Sequence, residues 1–347
     1  MARRVDSRSH FMAYQKQEVQ SKHFDAFKAA LPSMAGKTVA ITGTTSGTGR
    51  VAAFTVAEKG AKVVLLNRKS ERSAEMAGAL RASFPNANIV DIECDLMSFA
   101  SVQAAADKVK QACPEGVHVL CNNAGIMAMK DEATGDGFDV QMQVNHLSHF
   151  LLTAELMPLL EKAAAESGDA RIVNHSSVAR MNPGKKLIGD YLEKKGGNLG
   201  GDGGGMLTGG ARWVRYNQTK LANCAFTAAL HERLQKKGSK VKALVAHPGL
   251  SNTSLQVTTS KDGGMGNLLT GWLMKLGQSE EDGTMGILSC MCVTDAKSGE
   301  FHGPGKGGFA LKGKVEVWPL EAFYDNAETR DLLWSKSNDA IGKDFVI

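Results

Sequence analysis

Nowhere does this 347-residue sequence carry an apolar run approaching the ~20 residues that a membrane-crossing helix needs. A membrane span is therefore not expected. The chain also lacks a basic block, and a net charge of only +5 leaves no electrostatic footprint for nucleic acid. Cysteine is sparse: Cys94, Cys113, Cys121, Cys224, Cys290 and Cys292 are scattered without metal-ligand spacing. Cys94 and Cys121 fall at the ends of predicted buried strands, which points to reduced core thiols and a reducing compartment. Cys290-Met-Cys292 resembles half a metal site, but no second pair accompanies it. There is no internal repeat and no second hydrophobic unit. With 43% hydrophobic and 22% charged residues, the chain is expected to form one large globular domain.

What is present is an alternation of strands and helices. Strands are predicted at 38–42, 62–66, 88–94, 117–121, 171–175 and 241–246, with a short one near Glu300. Between them lie helical stretches reaching Lys59, then 70–83, 98–112, 137–164 and a run from Tyr216 to Leu234. Helices near 262–277 and 280–293 follow, and a Gly-rich, loop-like tail ends the chain. Strands separated by helices of ten or more residues imply crossover connections. The expected fold is a single doubly wound, Rossmann-type α/β domain, its parallel sheet covered by helices on both faces.

The first unit carries chemistry. Strand 38–42 runs into Gly43-Thr44-Thr45-Ser46-Gly47-Thr48-Gly49 and then into a helix. Backbone N–H groups of such a turn, with the helix N-terminus behind them, suit a pyrophosphate. A plain tight turn is the bland alternative, and the strand–turn–helix placement argues against it. The second strand ends in Asn67-Arg68-Lys69. An acid there would bond a ribose 2′-hydroxyl, whereas a cation accommodates a 2′-phosphate. No acid is present, so NADP(H) is expected over NAD, unless Arg68 is merely a solvated surface residue.

Tyr216 and Lys220 are four apart on a predicted helix and so share a face. A cation near a phenol is expected to lower its pKa from about 10 and make it a proton carrier near neutrality. A solvated helix face is the alternative. Nine of the fifteen residues from Gly196 to Gly210 are glycine. They belong to an insertion near 181–212, and the span between Ala179 and Trp213 is expected to be the least ordered of the chain: either a flexible surface loop or a segment near the mouth of any site at Tyr216. Met265, Leu268, Leu269, Trp272 and Leu276 sit at helical spacing in the segment 255–277. That stripe suits a core helix, or a lid over a greasy substrate at the strand C-termini.

Taken together these motifs resemble the short-chain dehydrogenase/reductase family over nearly all of 36–340. The match is carried by Thr42-Gly43-x-x-x-Gly47-x-Gly49, Asp95-Leu96, Asn122-Asn123-Ala124-Gly125, Asn145, Ser176-Ser177, Tyr216-x-x-x-Lys220 and Pro248-Gly249. Tyr216 to Asn223 and Gly299 to Gly305 look like the retinol dehydrogenase and protochlorophyllide reductase branch. The resemblance implies that Gly43, Thr45, Ser46, Gly47, Thr48 and Gly49 hold the pyrophosphate turn, and that Arg68 meets the 2′-phosphate. Asp95 and Leu96 lie at the adenine edge, and Asn123, Ala124 and Gly125 line the cofactor pocket. Pro248, Gly249 and Thr253 approach the nicotinamide end. Tyr216 is the acid/base, Lys220 supports it and bonds the ribose, Ser177 bonds the reacting oxygen, and Asn145 holds a water that relays protons through Lys220. Three departures stand out. Thr48 replaces the usual Ile or Leu and is expected to alter only packing. Thr219 replaces Ser. Ala222 stands where protochlorophyllide reductases carry Cys, which argues against light-driven chemistry.

The expected activity is reduction of a carbonyl, or oxidation of the alcohol, on a hydrophobic small molecule. A catalytically idle, cofactor-bound subunit and a double-bond reductase are the alternatives. Self-association, membership of a larger assembly and peripheral membrane contact stay open. Residues 1–35 are a basic lead with no secretory h-region. Phe24, Phe27 and Leu31 at helical spacing predict that this lead docks on the body. A transit-peptide remnant, an expression scar and a surface helix all fit it, so the expected location is cytoplasmic or an organelle matrix.

Overall fold

The computed structural model describes residues 19–181, 184–205, 209–251, 259, 262–264, 277–305 and 311–347. Its strands are β1 Thr38–Thr42, β2 Lys62–Asn67, β3 Ile89–Glu93, β4 Val119–Asn122, β5 Ala170–His175, β6 Val241–Ala246, β7 Glu300–Pro304 and β8 Val315–Pro319. They hydrogen-bond in the order β3-β2-β1-β4-β5-β6-β7-β8. All neighbours run parallel except β8, which pairs antiparallel with β7. This is the doubly wound sheet expected from the alternation of elements.

Helices cover both faces because the strands are apolar on both sides. Ala40, Val64, Leu120, Ile172 and Ala243 enter one core with α4 (Phe99–Ala112), α5 (Ser148–Ser167) and α6 (Ala211–Lys237). The alternate residues Ile41, Val63, Val119, Val173 and Leu244 enter the other core. There they meet α2 (Gly47–Glu58), α3 (Glu71–Ser83) and α7 (Glu280–Cys292). That two-residue alternation is the strand period. Helix α1 (Phe24–Ala30) docks on the second core through Phe24, with Leu31 and Met34 buried beyond it, as the spacing predicted. Its approach is fixed by Asp282 in the first turn of α7. The Asp282 carboxylate accepts hydrogen bonds from the Ser21 hydroxyl (2.8 Å) and from the N–H groups of Lys22 (2.9 Å), His23 (3.0 Å) and Phe24 (3.0 Å). All six cysteines are free and buried.

Two expectations need correction. The tail is not a loop: it adds β8 and then α8 (Ala327–Ile341), which buries Leu333 and Trp334 against the first core. Asn326 caps this helix by accepting from Thr329 N–H at 3.0 Å, and Gly342 ends it at φ +68. The described part of the glycine-rich insertion is also well organised. The Asp131 carboxylate accepts from Leu199 N–H (2.9 Å) and Gly201 N–H (2.6 Å). Arg215, in the first turns of α6, donates to the carbonyls of Leu199 (3.2 Å), Gly201 (2.8 Å) and Met129 (3.1 Å). Gly196, Gly197, Gly200, Gly201, Gly204 and Gly209 all take positive φ, a backbone that side chains resist. Among the described residues, no helix is long and apolar enough to cross a membrane.

Candidate active site

The turn after β1 is closed by backbone contacts that allow no side chain. A Cβ on Gly49 would lie 2.2 Å from the Gly43 carbonyl oxygen and 2.4 Å from Asn123 Nδ2. Gly43 itself takes φ +70, and a Cβ there would meet Ala124 Cβ at 2.7 Å. Asn123, at the end of β4, braces this turn. Its Nδ2 donates to the carbonyls of Thr42 (2.9 Å) and Gly43 (3.1 Å), and its Oδ1 accepts from the Thr48 hydroxyl at 2.9 Å. Thr48 therefore does more than pack: its hydroxyl, absent from Ile or Leu, holds the pocket's asparagine. Asn67 grips the other end of the turn, accepting from Thr44 N–H and donating to Thr44 Oγ1, each at 2.8 Å.

Ser46 stands at the N-cap of α2 but makes no capping bond with its side chain. The first-turn N–H groups, next to Thr45, Gly47 and Thr48, are thus presented to an anion. Arg68 and Lys69 are exposed at the C-terminal end of β2. Asp95 accepts from Met97 N–H at 3.0 Å, and the Leu96 carbonyl takes the Ser148 hydroxyl at 2.7 Å. This pinched, uncapped turn beside two cations fits a dinucleotide phosphate on geometry and charge together.

The catalytic candidates converge at the C-terminal ends of β4 and β5. Gly125 lies between two of them, because a Cβ on it would be 3.2 Å from Asn145 Oδ1 and 3.4 Å from Lys220 Nζ. Lys220 Nζ sits 5.7 Å from the Tyr216 ring centroid and donates to the His175 carbonyl at 3.2 Å. Asn145 lies within a π-helical turn, Gln143–Leu147, that leads into α5. Its amide exchanges hydrogen bonds with the Ile126 backbone (2.8 and 2.9 Å) and donates to Thr219 Oγ1 at 2.9 Å. Thr219 thus has a definite role that the Ser-for-Thr comparison did not reveal.

Burial dominates the electrostatics. It pushes the Tyr216 phenol up to about 12, partly offset by a hydrogen bond with the Ser177 side chain. It pushes Lys220 down to about 8. The sequence had suggested a phenol lowered by its lysine. In the structure the phenol keeps its proton at neutral pH, so Tyr216 stands ready as a donor.

Several residues at the site carry no motif. Trp213 meets Tyr216 edge-on at 5.9 Å between ring centroids, and with Met127 and Ala128 forms a small apolar cluster separate from both cores. Arg212 donates to the Asp262 carbonyl (2.9 Å) and carboxylate (3.0 Å), while the Trp213 indole donates to Gly264 O at 3.0 Å. The described part of the segment after β6 therefore docks on the first turn of the Tyr216 helix. Thr253 and the stripe from Met265 to Leu276 lie outside the described residues. Pro248 and Gly249 are placed just past β6. The Pro248 carbonyl accepts from Ser251 Oγ and Gln278 Nε2, and Gly249 takes φ +63. One signal for the missed arginines did exist. Arg212 and Arg215 begin a helix, where the dipole disfavours cations, and such placement asks for dedicated partners. Buried Arg215 has three carboxylates nearby, Asp139 at 3.2 Å, Asp131 at 3.6 Å and Asp202 at 3.7 Å.

A parallel doubly wound sheet whose first turn leaves helix N–H groups uncapped has the architecture of the dinucleotide-binding α/β proteins. Comparison with known proteins narrows the class. The family model for short chain dehydrogenases matches residues 37–189. Retinol dehydrogenase 12 of Mus musculus is 30% identical over 312 residues, covering 88% of this chain and 87% of that protein. An uncharacterised oxidoreductase of Schizosaccharomyces pombe is 36% identical over 227 residues, 65% of this chain. That match spans 63% of the yeast protein, less than two thirds of its length. Among solved structures, an uncharacterised protein from Mycobacterium paratuberculosis aligns with a TM-score of 0.70 at 30% identity, over 92% of this chain and 98% of its own. The chain belongs to the short-chain dehydrogenase/reductase family, in its retinol dehydrogenase-like branch.

Proposed function

We propose that the protein reduces the carbonyl of a hydrophobic small molecule with NADPH. The observation that carries this is Tyr216: a buried phenol that keeps its proton at neutral pH, beside Ser177 and Lys220. When bound, the cofactor supplies a hydride to the carbonyl carbon. The chain's own residues manage the oxygen. Ser177 holds it by a hydrogen bond, and Tyr216 donates its proton as negative charge develops there. Lys220, still largely charged below about pH 8, stabilises the resulting phenolate. Asn145 carries a water through which the phenolate regains its proton by way of Lys220.

Arg68, in the absence of an acid at the end of β2, favours the 2′-phosphorylated cofactor. The apolar cluster of Met127, Ala128 and Trp213 beside Tyr216 favours a greasy substrate, in keeping with a relative named for retinol. Single-turnover reduction of decanal by Tyr216→Phe tests the assignment. Its rate is expected to fall by roughly 10²- to 10⁴-fold, with NADPH affinity unchanged, because only the transferable proton is lost. Wild-type turnover in this variant would leave the idle-subunit alternative standing.

A further inference from the structure

A buried hydrogen-bonded line joins the cofactor cradle to Asn145, and one imidazole forms its middle. His149, 1% exposed on the first turn of α5, places Nδ1 at 3.1 Å from the Asn145 carbonyl oxygen. A carbonyl can only accept, so Nδ1 must carry the hydrogen. Nε2 is then a bare acceptor, and it faces the Thr42 hydroxyl at 2.9 Å. Thr42 Oγ1 must therefore donate to it, while accepting the N–H groups of Asn123 and Ala124, both at 3.0 Å. Both ring nitrogens and the Thr42 hydroxyl are fully used, and only one tautomer satisfies them. Burial together with the nearby Lys220 charge holds His149 down to about 4, so the ring stays neutral at physiological pH.

Each end of the line has a place in the chemistry. Thr42 closes β1 where the cradle begins, and its own carbonyl is gripped by Asn123 Nδ2. Asn145 sits in the π-helical turn, with its amide beside Lys220 across Gly125. A carbonyl oxygen has two lone pairs. An imidazole on one of them fixes the peptide plane and thereby the direction of the other.

We propose that His149 is a positioning residue for proton delivery: it sets the aim of the Asn145 carbonyl and ties that aim to the cofactor cradle through Thr42. This rests on the proposed proton route through Asn145, Lys220 and Tyr216. The cradle itself does not depend on the ring, since the Thr42 hydroxyl has a second acceptor in the Cys121 carbonyl at 3.4 Å. Loss of His149 should therefore slow proton delivery and spare cofactor binding.

Three substitutions separate the two contacts. His149→Asn places an amide N–H where Nδ1 was and keeps the bond to Asn145. His149→Gln reaches only the Thr42 end, and His149→Phe keeps neither. With decanal and NADPH, kcat is expected to fall by roughly ten- to a hundredfold in the Phe and Gln variants, and their solvent deuterium isotope effect should rise. The Asn variant should recover most of the rate. NADPH affinity should stay within about threefold of wild type in all three. A Phe variant with wild-type kcat and isotope effect would overturn the proposal, as would an Asn variant no better than Phe. Imidazole nitrogen NMR on the wild-type protein gives an independent check that needs no variant. A neutral Nδ1–H tautomer of His149 is expected, and an Nε2–H form would overturn it. If Tyr216→Phe turns over normally, the catalytic assignment itself fails. If Tyr216→Phe is dead while the His149 variants are normal, only the positioning role fails.

Discussion

Placing a single methyl group on Gly49 should cost the protein most of its cofactor affinity. The new Cβ would sit 2.2 Å from the Gly43 carbonyl oxygen and 2.4 Å from Asn123 Nδ2. Ordinary carbon–oxygen contact lies near 3.3 Å, so the turn has to open by roughly 1 Å. Neither obstacle is a flexible side-chain end. Asn123 Nδ2 is held by the Thr42 and Gly43 carbonyls at 2.9 and 3.1 Å, and an opening of that size breaks at least the bond to Gly43. One or two buried hydrogen bonds left unmade cost about 2–4 kcal/mol. Falling wholly on binding, that is a loss of about 30- to 1,000-fold in NADPH affinity. Gly78→Ala is the matched control. Gly78 lies inside α3 with nothing within 4 Å of its would-be Cβ and no positive φ. There the extra methyl should stabilise the fold by about 0.5–1 kcal/mol and leave binding untouched. Fluorescence titration with NADPH and thermal unfolding of both variants give the comparison. Gly49→Ala binding NADPH within about threefold of wild type would refute the cradle assignment.

Three further outcomes are expected. Because burial pushes Lys220 down to about 8, its charge is present below that pH and lost above it, so kcat should decline as pH rises through about 8; a rate flat to about pH 10 would contradict this. Arg68→Asp should weaken NADPH by at least about tenfold and strengthen NADH, and an unchanged NADPH Kd would remove Arg68 from the 2′-phosphate site. Asp282→Ala should destabilise the fold by about 1–3 kcal/mol, since the N–H groups of Lys22, His23 and Phe24 lose their acceptor. Burial alone would raise the Asp282 carboxyl, but those bonds and the Ser21 hydroxyl hold it below its usual value. Its contribution is therefore present above the ordinary carboxylate pKa of about 3.9 and fades as pH falls below it. Equal melting temperatures for wild type and variant at neutral pH would count against the clamp.

The parallel sheet was legible because its strands are short apolar runs between helices, a pattern that burial on both faces imposes. The turn from Gly43 to Gly49 was legible for the same local reason: strand, glycine turn and helix adjoin in sequence. The tail was not. Five glycines between Gly299 and Gly308 mask the strand that follows them, and α8 announces itself only by Asn326 at its start and Gly342 at its end. The contacts made by Arg215 and His149 were not legible, for another reason. Their partners are backbone carbonyls and residues distant in sequence, such as Leu199 and Thr42, and no spacing rule records a contact of that kind. The Tyr216 phenol shows the limit of pairwise reasoning. Its neighbour in the motif is a lysine, but the enclosure around both groups sets where they titrate.

Arg215 grips the glycine-rich insertion chiefly by carbonyl oxygens, at Leu199 and Gly201, and every amino acid has a carbonyl oxygen to offer. The Leu199 side chain can therefore be exchanged while this attachment survives, whereas the positive-φ glycines and Asp202, whose carboxylate accepts from Asp131 N–H at 2.7 Å, are fixed by the fold. The anchoring arginine rides on the same helix as Tyr216, one residue earlier. A lineage could rework other side chains of the insertion while Tyr216 stays where it is. Natural variation in the insertion should spare Arg215, Asp202 and the positive-φ glycines.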